Sequence, residues 1–234
     1  MVCGATLEYL ENEIKLQCTY CQKEFQGFIR CPNGHYVCDD CHNNQSIQLT
    51  KKICSATTST NPLEIYEEIF GSPKIPMLGC HHAFMAAGAF ITAIKNEGTF
   101  EISENMIKEV YDRTQRQAIG GYCGLTGLCG IAPALGACFA IILGSKCGMD
   151  KEQKITMDAV SEIVKTIAEL TGPSCCKAYA QKSIEVAQNF LERNLQIKLS
   201  RSTGKIICRD TKKHPHGCRK EKCPYYQEAS NKAN

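Results

Sequence analysis

The sequence predicts an α+β protein in two parts: a small amino-terminal domain that cannot build a core of its own, then an all-α helical domain with a Cys-rich tail. Three observations predict this. Residues 1–50 carry six cysteines and short β-like stretches but little apolar material, so a domain there needs metals or disulfides to stay folded. Residues 62–200 read as successive apolar patterns at helical spacing. Residues 201–234 turn polar again, punctuated by Cys208, Cys218 and Cys223.

A chain of 234 residues suits two domains, and 43% hydrophobic with 22% charged residues is ordinary for a soluble globular protein. The net charge of +3, from 27 basic and 24 acidic side chains, is too small to draw a nucleic acid by bulk electrostatics. Arg30 is the only arginine among the amino-terminal cysteines, and Lys15, Lys23, Lys51 and Lys52 are scattered, so nucleic acid is not an expected partner; a protein docking on the amino-terminal domain is. The longest apolar run, Ile131–Gly144, is 14 residues, short of the roughly 20 that cross a bilayer, and reads as a buried helix. No small-molecule substrate is legible.

Seventeen cysteines are the anomaly. The count is odd, no signal-peptide pattern opens the sequence, and the Cys-x-x-Cys pairs come with a histidine at ligand spacing. That combination is expected of metal binding in a reducing compartment rather than of a secreted disulfide scaffold. The expectation is a cytoplasmic protein, from an organism living with little oxygen.

The elements follow in order. Thr6–Tyr9 and Ile14–Gln17 read as strands, and 51–61 (KKICSATTSTN), polar and aperiodic, reads as a linker. Asn61 caps and Pro62 opens a first helix carrying Leu63, Tyr66, Ile69 and Phe70. An Ala-rich second helix runs from Pro76 to Asn96, ending near Gly98; a third starts after Ser103 and stops before Gly120-Gly121. The apolar run is the fourth. A fifth opens at Asp150 with Ile155, Val160, Ile163, Val164 and Ile167 as its core stripe and ends at Thr171-Gly172. The sixth follows Pro173, with Ile184, Ala187, Phe190 and Leu191 inward, and a strand-like stretch, Lys205–Cys208, opens the tail. The domains are therefore 1–50, a linker 51–61, the helical domain 62–200, and the tail 201–234 packing on it.

Cys18-x-x-Cys21, Cys31-x-x-x-His35 and Cys38-x-x-Cys41 fall within 24 residues. Zinc takes four tetrahedral thiolate or imidazole ligands, and a two-residue gap lets both sulfurs of a tight turn face one ion. The order resembles RING and related treble-clef modules, in which the first and third pairs share one ion. On that resemblance Cys18, Cys21, Cys38 and Cys41 hold one zinc, while Cys31 and His35 start a second site. Two more ligands are needed there: Cys3 is the best candidate, since Cys3-Gly4 reads as the second half of a knuckle whose first cysteine would precede Met1, and either that upstream residue or Cys54 or His42 completes the site. The carboxy-terminal Cys-x-x-Cys of a RING does not follow, which argues against a ubiquitin ligase.

In the helical domain GGYCGLTGLCG brings Cys123 and Cys129 beside glycines, which let backbone N–H groups approach a sulfur. Cys129 also precedes a helix start, where the macrodipole lowers a thiol pKa. GPSCCK repeats the logic, with Cys175 and Cys176 in a first turn beside Lys177. Two adjacent cysteines diverge by about 100° on a helix, so they are expected to serve different partners. The tail adds Cys218-x4-Cys223-Pro, compatible with iron–sulfur ligation, with His214 and His216 before it. Cys80-His81-His82 supplies further nitrogen candidates, whereas Cys138, among Ala, Phe and Ile, reads as core.

CPNGHYVCDDC, the His81-His82 pair, GGYCGLTGLCG, GPSCCK and CRKEKCPYY together make the chain resemble the domain of unknown function 5714 family, nearly end to end. That resemblance implies architecture and no reaction. CGIAPALGACFAIILGSKCG also resembles a stretch of redox-active proteins with a Gly-Cys-Ala signature, over one helix. The expected function is a metal-binding protein with a cysteine-based redox or iron–sulfur site. Cys175 and Cys176 are the candidate reactive thiols; Cys123, Cys129, Cys218, Cys223, His81 and His82 are the candidate cofactor ligands. Sulfur or methyl transfer by a helix-start thiolate, and a non-enzymatic adaptor, are the alternatives.

Overall fold

The protein is described by a computed structural model covering residues 3, 5–72, 75–170, 172–204, 206–215 and 217–227. His216 and the expected boundaries at Lys205 and Thr171 lie outside the described residues. The chain forms two compact units, Met1–Gln45 and Ser46–Asn234.

In the first unit β1 (Glu8–Gln17) pairs antiparallel with β2 (Glu24–Arg30), with Leu16 opposite Phe25 and Ile14 opposite Gly27. The two stretches expected as strands are one strand, and the gap between them is a register irregularity between Tyr9 and Ile14. The hairpin loop is the Cys18–Cys21 knuckle, closed by Gln22 N donating to Cys18 O and Cys18 N to Lys23 O, both at 2.9 Å. A second turn spans Cys31–His35, where Gly34 takes φ +78° and its N–H reaches Cys31 O at 2.9 Å. α1 (Asp39–Ala56) then begins right after Cys38, and the unit boundary falls inside it. Residues 51–56, expected as linker, are therefore the end of a helix; only 57–61 connect it to the next.

The second unit is all-helical. α2 (Pro62–Phe70) starts as expected, with Asn61 Oδ1 accepting from Leu63 N at 3.1 Å and Glu64 N at 3.4 Å. α3 (His81–Glu97) is buried on every side from His81 to Ile94, and α2, α4 (Glu104–Gln117), α6 (Ile131–Leu143) and α8 (Cys176–Leu195) pack around it. It starts five residues later than expected, because residues 75–80 form bends. Its Ala and Gly positions permit this crowding: a Cβ on Gly88 would sit 2.5 Å from Tyr111 Oη. α5 (Tyr122–Thr126) is a single short turn and α7 (Lys151–Glu169) packs against α6 and α8. Phe90, Phe139 and Phe190 stack through the centre at centroid spacings of 5.5 and 5.3 Å. After Gln196 the tail is irregular, with two 3₁₀ turns (Thr211–Lys213 and Lys220–Lys222), and 206–208 is not a strand. It is held by Lys177 Nζ donating to Asp210 Oδ2 at 3.0 Å and Tyr225 Oη to Glu185 Oε1 at 2.8 Å. Among the described residues no helix is long and apolar enough to cross a membrane.

Candidate metal centre

The hairpin loop supplies Cys18 and Cys21, and the start of α1 supplies Cys38 and Cys41; these four thiols lie with their sulfurs within 4.8 Å of one another. Cys21 Sγ and Cys38 Sγ are 3.7 Å apart. A tetrahedron of sulfurs about 2.3 Å from one ion has edges of about 3.8 Å, so the arrangement fits an ion at its centre. The second turn brings Cys31 Sγ within 3.7 Å of His35 Nδ1 and 3.4 Å of Cys3 Sγ, a group of three that can also hold a metal ion. Cys54, one alternative partner for that group, packs with Thr92 and Tyr111 in the helical unit, and His42 Nδ1 lies against Asn43 Oδ1 at 3.4 Å.

Electrostatics make a bare four-thiol cluster unbalanced. Burial pushes the Cys18 thiol up, but amide N–H groups aimed at its sulfur, including Cys38 N at 3.4 Å, outweigh that and hold it at about 6. Burial and the sharing of protons with its neighbours push Cys38 up to about 12. One thiolate suppresses ionisation of the next unless a cation sits among them. Cys3 is held at about 6 by the Ala5 amide, then by Asn33, Cys31 and His35.

The cysteines of the helical unit fall into two neighbourhoods. Cys175 is the residue capping α8 and Cys176 its first, and they face different neighbours. Cys176 is close enough to Cys129 and Cys123 for their charges to couple; Cys175 couples instead to Cys223 and Cys208. A cavity is lined by Cys175, Cys208, Cys218 and Cys223, together with Lys177 and Arg219. The expected depression of the helix-start thiols is also reversed. Burial pushes Cys129 to about 11 and Cys176 to about 12, and raises Cys175, because loss of hydration outweighs the helix terminus.

His81 and His82 are fully buried in the core. His82 lies between Tyr66 Oη at 2.6 Å and Met77 O at 3.1 Å, and His81 Nε2 is 3.0 Å from Pro76 O. Carbonyl oxygens only accept, so the Nε2 of each ring is a donor to backbone. Cys138 donates to Ala87 O and Ala134 O, both at 3.5 Å, as a neutral core thiol. Sequence reasoning named Cys208 in the tail without assigning it to a site and did not single out Asp210 or Arg219; only the fold-back of the tail brings these three to one cavity with Cys175.

No curated protein and no solved structure matches the chain. A family of unknown function, DUF5714, matches residues 50–226. The matched span contains the His81-His82 pair, GGYCGLTGLCG, GPSCCK and CRKEKCPYY, and leaves both amino-terminal ligand groups outside it. The looser likeness to redox-active Gly-Cys-Ala proteins has no support beyond the sequence itself. With more than half its length matched, the chain belongs to the DUF5714 family.

Proposed function

We propose that the protein is a zinc-binding protein with a treble-clef-like amino-terminal unit, and that the helical unit adds a cysteine-based iron–sulfur site. The observation that carries the first part is the four-sulfur group of Cys18, Cys21, Cys38 and Cys41 at single-ion spacing. All-thiolate tetrahedral coordination suits zinc, which has no geometric demand of its own and a strong preference for closed sulfur sites in structural roles. Cys3, Cys31 and His35 take a second zinc, with a fourth position left to another ligand. Such sites need free thiols, which supports the reading of a reducing, cytoplasmic compartment.

Elemental analysis of purified full-length chain tests this. Zinc retained through dialysis against a weak chelator, with one equivalent lost in Cys38→Ser and a different one in Cys31→Ser, is the expected result. Cobalt substitution should give the intense thiolate-to-metal absorption of a tetrahedral sulfur site, lost in Cys38→Ser. A protein that keeps no divalent metal, or whose metal content is unchanged in Cys38→Ser, overturns the reading.

A further inference from the structure

We propose that Cys175, Cys208, Cys218 and Cys223 are the ligands of an iron–sulfur cluster held between the start of α8 and the tail. The proposal rests on the reading that the helical unit carries such a site, and assigns it to a set of residues different from the one expected from local sequence.

Three independent features of the pocket support it. The first is convergence: four thiols separated by up to 48 positions in sequence line one cavity. The second is the direction of hydrogen bonding. Asp210 N donates to Cys208 Sγ at 3.5 Å, Lys220 N to Cys218 Sγ at 3.4 Å, and the Ala178 amide to Cys175. A neutral core thiol does the reverse, as Cys138 does in giving its proton to two carbonyls. Amides two or three residues downstream aimed at a sulfur stabilise it as a metal-bound thiolate. Lys220 adopts φ +51°, unusual for a residue with a side chain, and that conformation belongs to the turn that points its N–H at Cys218. The third is charge. Lys177, 3% exposed and paired with Asp210 at 3.0 Å, and Arg219, 5% exposed, line the same cavity, so a negatively charged cluster there would meet two buried cationic side chains.

Spacing selects a cluster over a single ion. Among the described residues only the two amino-terminal groups bring three or more ligand atoms within 4.8 Å of one another, so the pocket thiols stand wider apart than one tetrahedral ion allows. A cluster takes its four cysteine ligands further apart than a single ion does, and Pro224 directly after Cys223 matches a common ending of iron–sulfur ligand runs. Cys176, turned away toward Cys129 and Cys123, is not a ligand.

The test is anaerobic purification and iron–sulfide reconstitution of the full-length chain, with iron, acid-labile sulfide and visible absorption measured. Single Cys208→Ser and Cys218→Ser variants should lose about tenfold or more of their iron and sulfide. Cys123→Ser, Cys129→Ser and Cys176→Ser should keep theirs, and Cys18→Ser should lose zinc alone. Because a ligand variant can misfold, alkylation of the reconstituted wild type followed by mass spectrometry is the second measurement. Cys175, Cys208, Cys218 and Cys223 should be protected together and become reactive together on cluster removal, while exposed Cys147 reacts throughout. Cluster loss in the Cys123, Cys129 and Cys176 variants instead would overturn the ligand assignment and leave an iron–sulfur protein. Zinc without sulfide at the four cysteines would overturn the cluster. Colourless protein with no iron after reconstitution would overturn both this assignment and the reading beneath it.

Discussion

His82 is a neutral base locked in the core. Burial, then the neighbouring His81 ring, depress its pKa well below the ordinary 6.5, and Lys177 works in the same direction against the Pro76 and Met77 carbonyls. The unfolded chain takes up a proton near pH 6.5 that the folded imidazole refuses. Stability from this group is therefore full above pH 6.5 and falls on acidification, by up to about 1.4 kcal/mol per pH unit. His82→Gln keeps a hydrogen-bonding side chain without the titration, and urea unfolding between pH 7 and 5 should show a shallower loss than in wild type. Gly88 poses a steric question at the same scale. An added Cβ meets Tyr111 Oη at 2.5 Å and Thr50 Cγ2 at 2.9 Å, both in the packed interior. Overpacking of about 1–3 kcal/mol exceeds the roughly 1 kcal/mol that alanine gains over glycine in a helix. Gly88→Ala should lower the melting temperature, and less so in a Tyr111→Phe background that removes the nearest atom.

At the scale of elements, Asn61 does two jobs: it caps α2 and donates through Nδ2 to Ser202 Oγ at 3.0 Å, tying the helix start to the tail. Asn61→Ala should cost about 1–2 kcal/mol in denaturant unfolding, and Asn61→Asp, which keeps the cap acceptor, much less. Caps of this kind were legible in sequence, as Asn61-Pro62, Ser103 and Gly98 show, because each acts on its own helix. α1 was not. Its buried positions include Asn43, Ser46 and Thr50, which recur at helical spacing but are polar, so no apolar stripe marks the helix. The amino-terminal ligand set was legible because all its members lie within a short span and spacing alone dictates their meeting. The divergence of Cys175 from Cys176 was legible too. Their partners were not, since those depend on the fold-back of a tail with no periodic pattern.

Across the helical unit, Lys177 of α8 ties two distant stretches together: α2, through Glu67 at 3.2 Å and the face of Phe70 at 4.4 Å, and the tail, through Asp210 at 3.0 Å. Asp210 keeps Lys213 at 2.8 Å if Lys177 is lost, and Glu67 is 36% exposed, so Lys177→Met should cost less than a fully buried pair, about 1–3 kcal/mol. Its more telling readout is local: trypsin should cut at Lys212 or Lys213 faster than in wild type while the helices stay intact.

The first unit calls for a different account of its stability. Among its described residues the buried hydrophobics are Cys18, Cys31 and Cys38, and each belongs to a ligand group. Among these described residues no aliphatic or aromatic side chain is fully buried to take over when the ligands are empty: Phe25 and Tyr36, 6.1 Å apart, are half-buried, and Leu7, Tyr9 and Tyr20 are exposed. A two-stranded hairpin is marginal in water without such support, whereas structural zinc contributes on the order of 10–16 kcal/mol to small domains of this kind. The second unit owns the continuous core around α3 and has no such dependence. Treatment with a strong chelator at neutral pH should therefore abolish hydrogen-exchange protection along β1 and β2 while α3, α6 and α8 keep theirs, and the helical circular dichroism should fall little. Added zinc should restore the hairpin protection, and acid below the thiol range should mimic the chelator by protonating the ligands. A hairpin that stays protected after complete metal removal would mean that the amino-terminal unit folds without an ion, and the four-sulfur group would then lose its structural role.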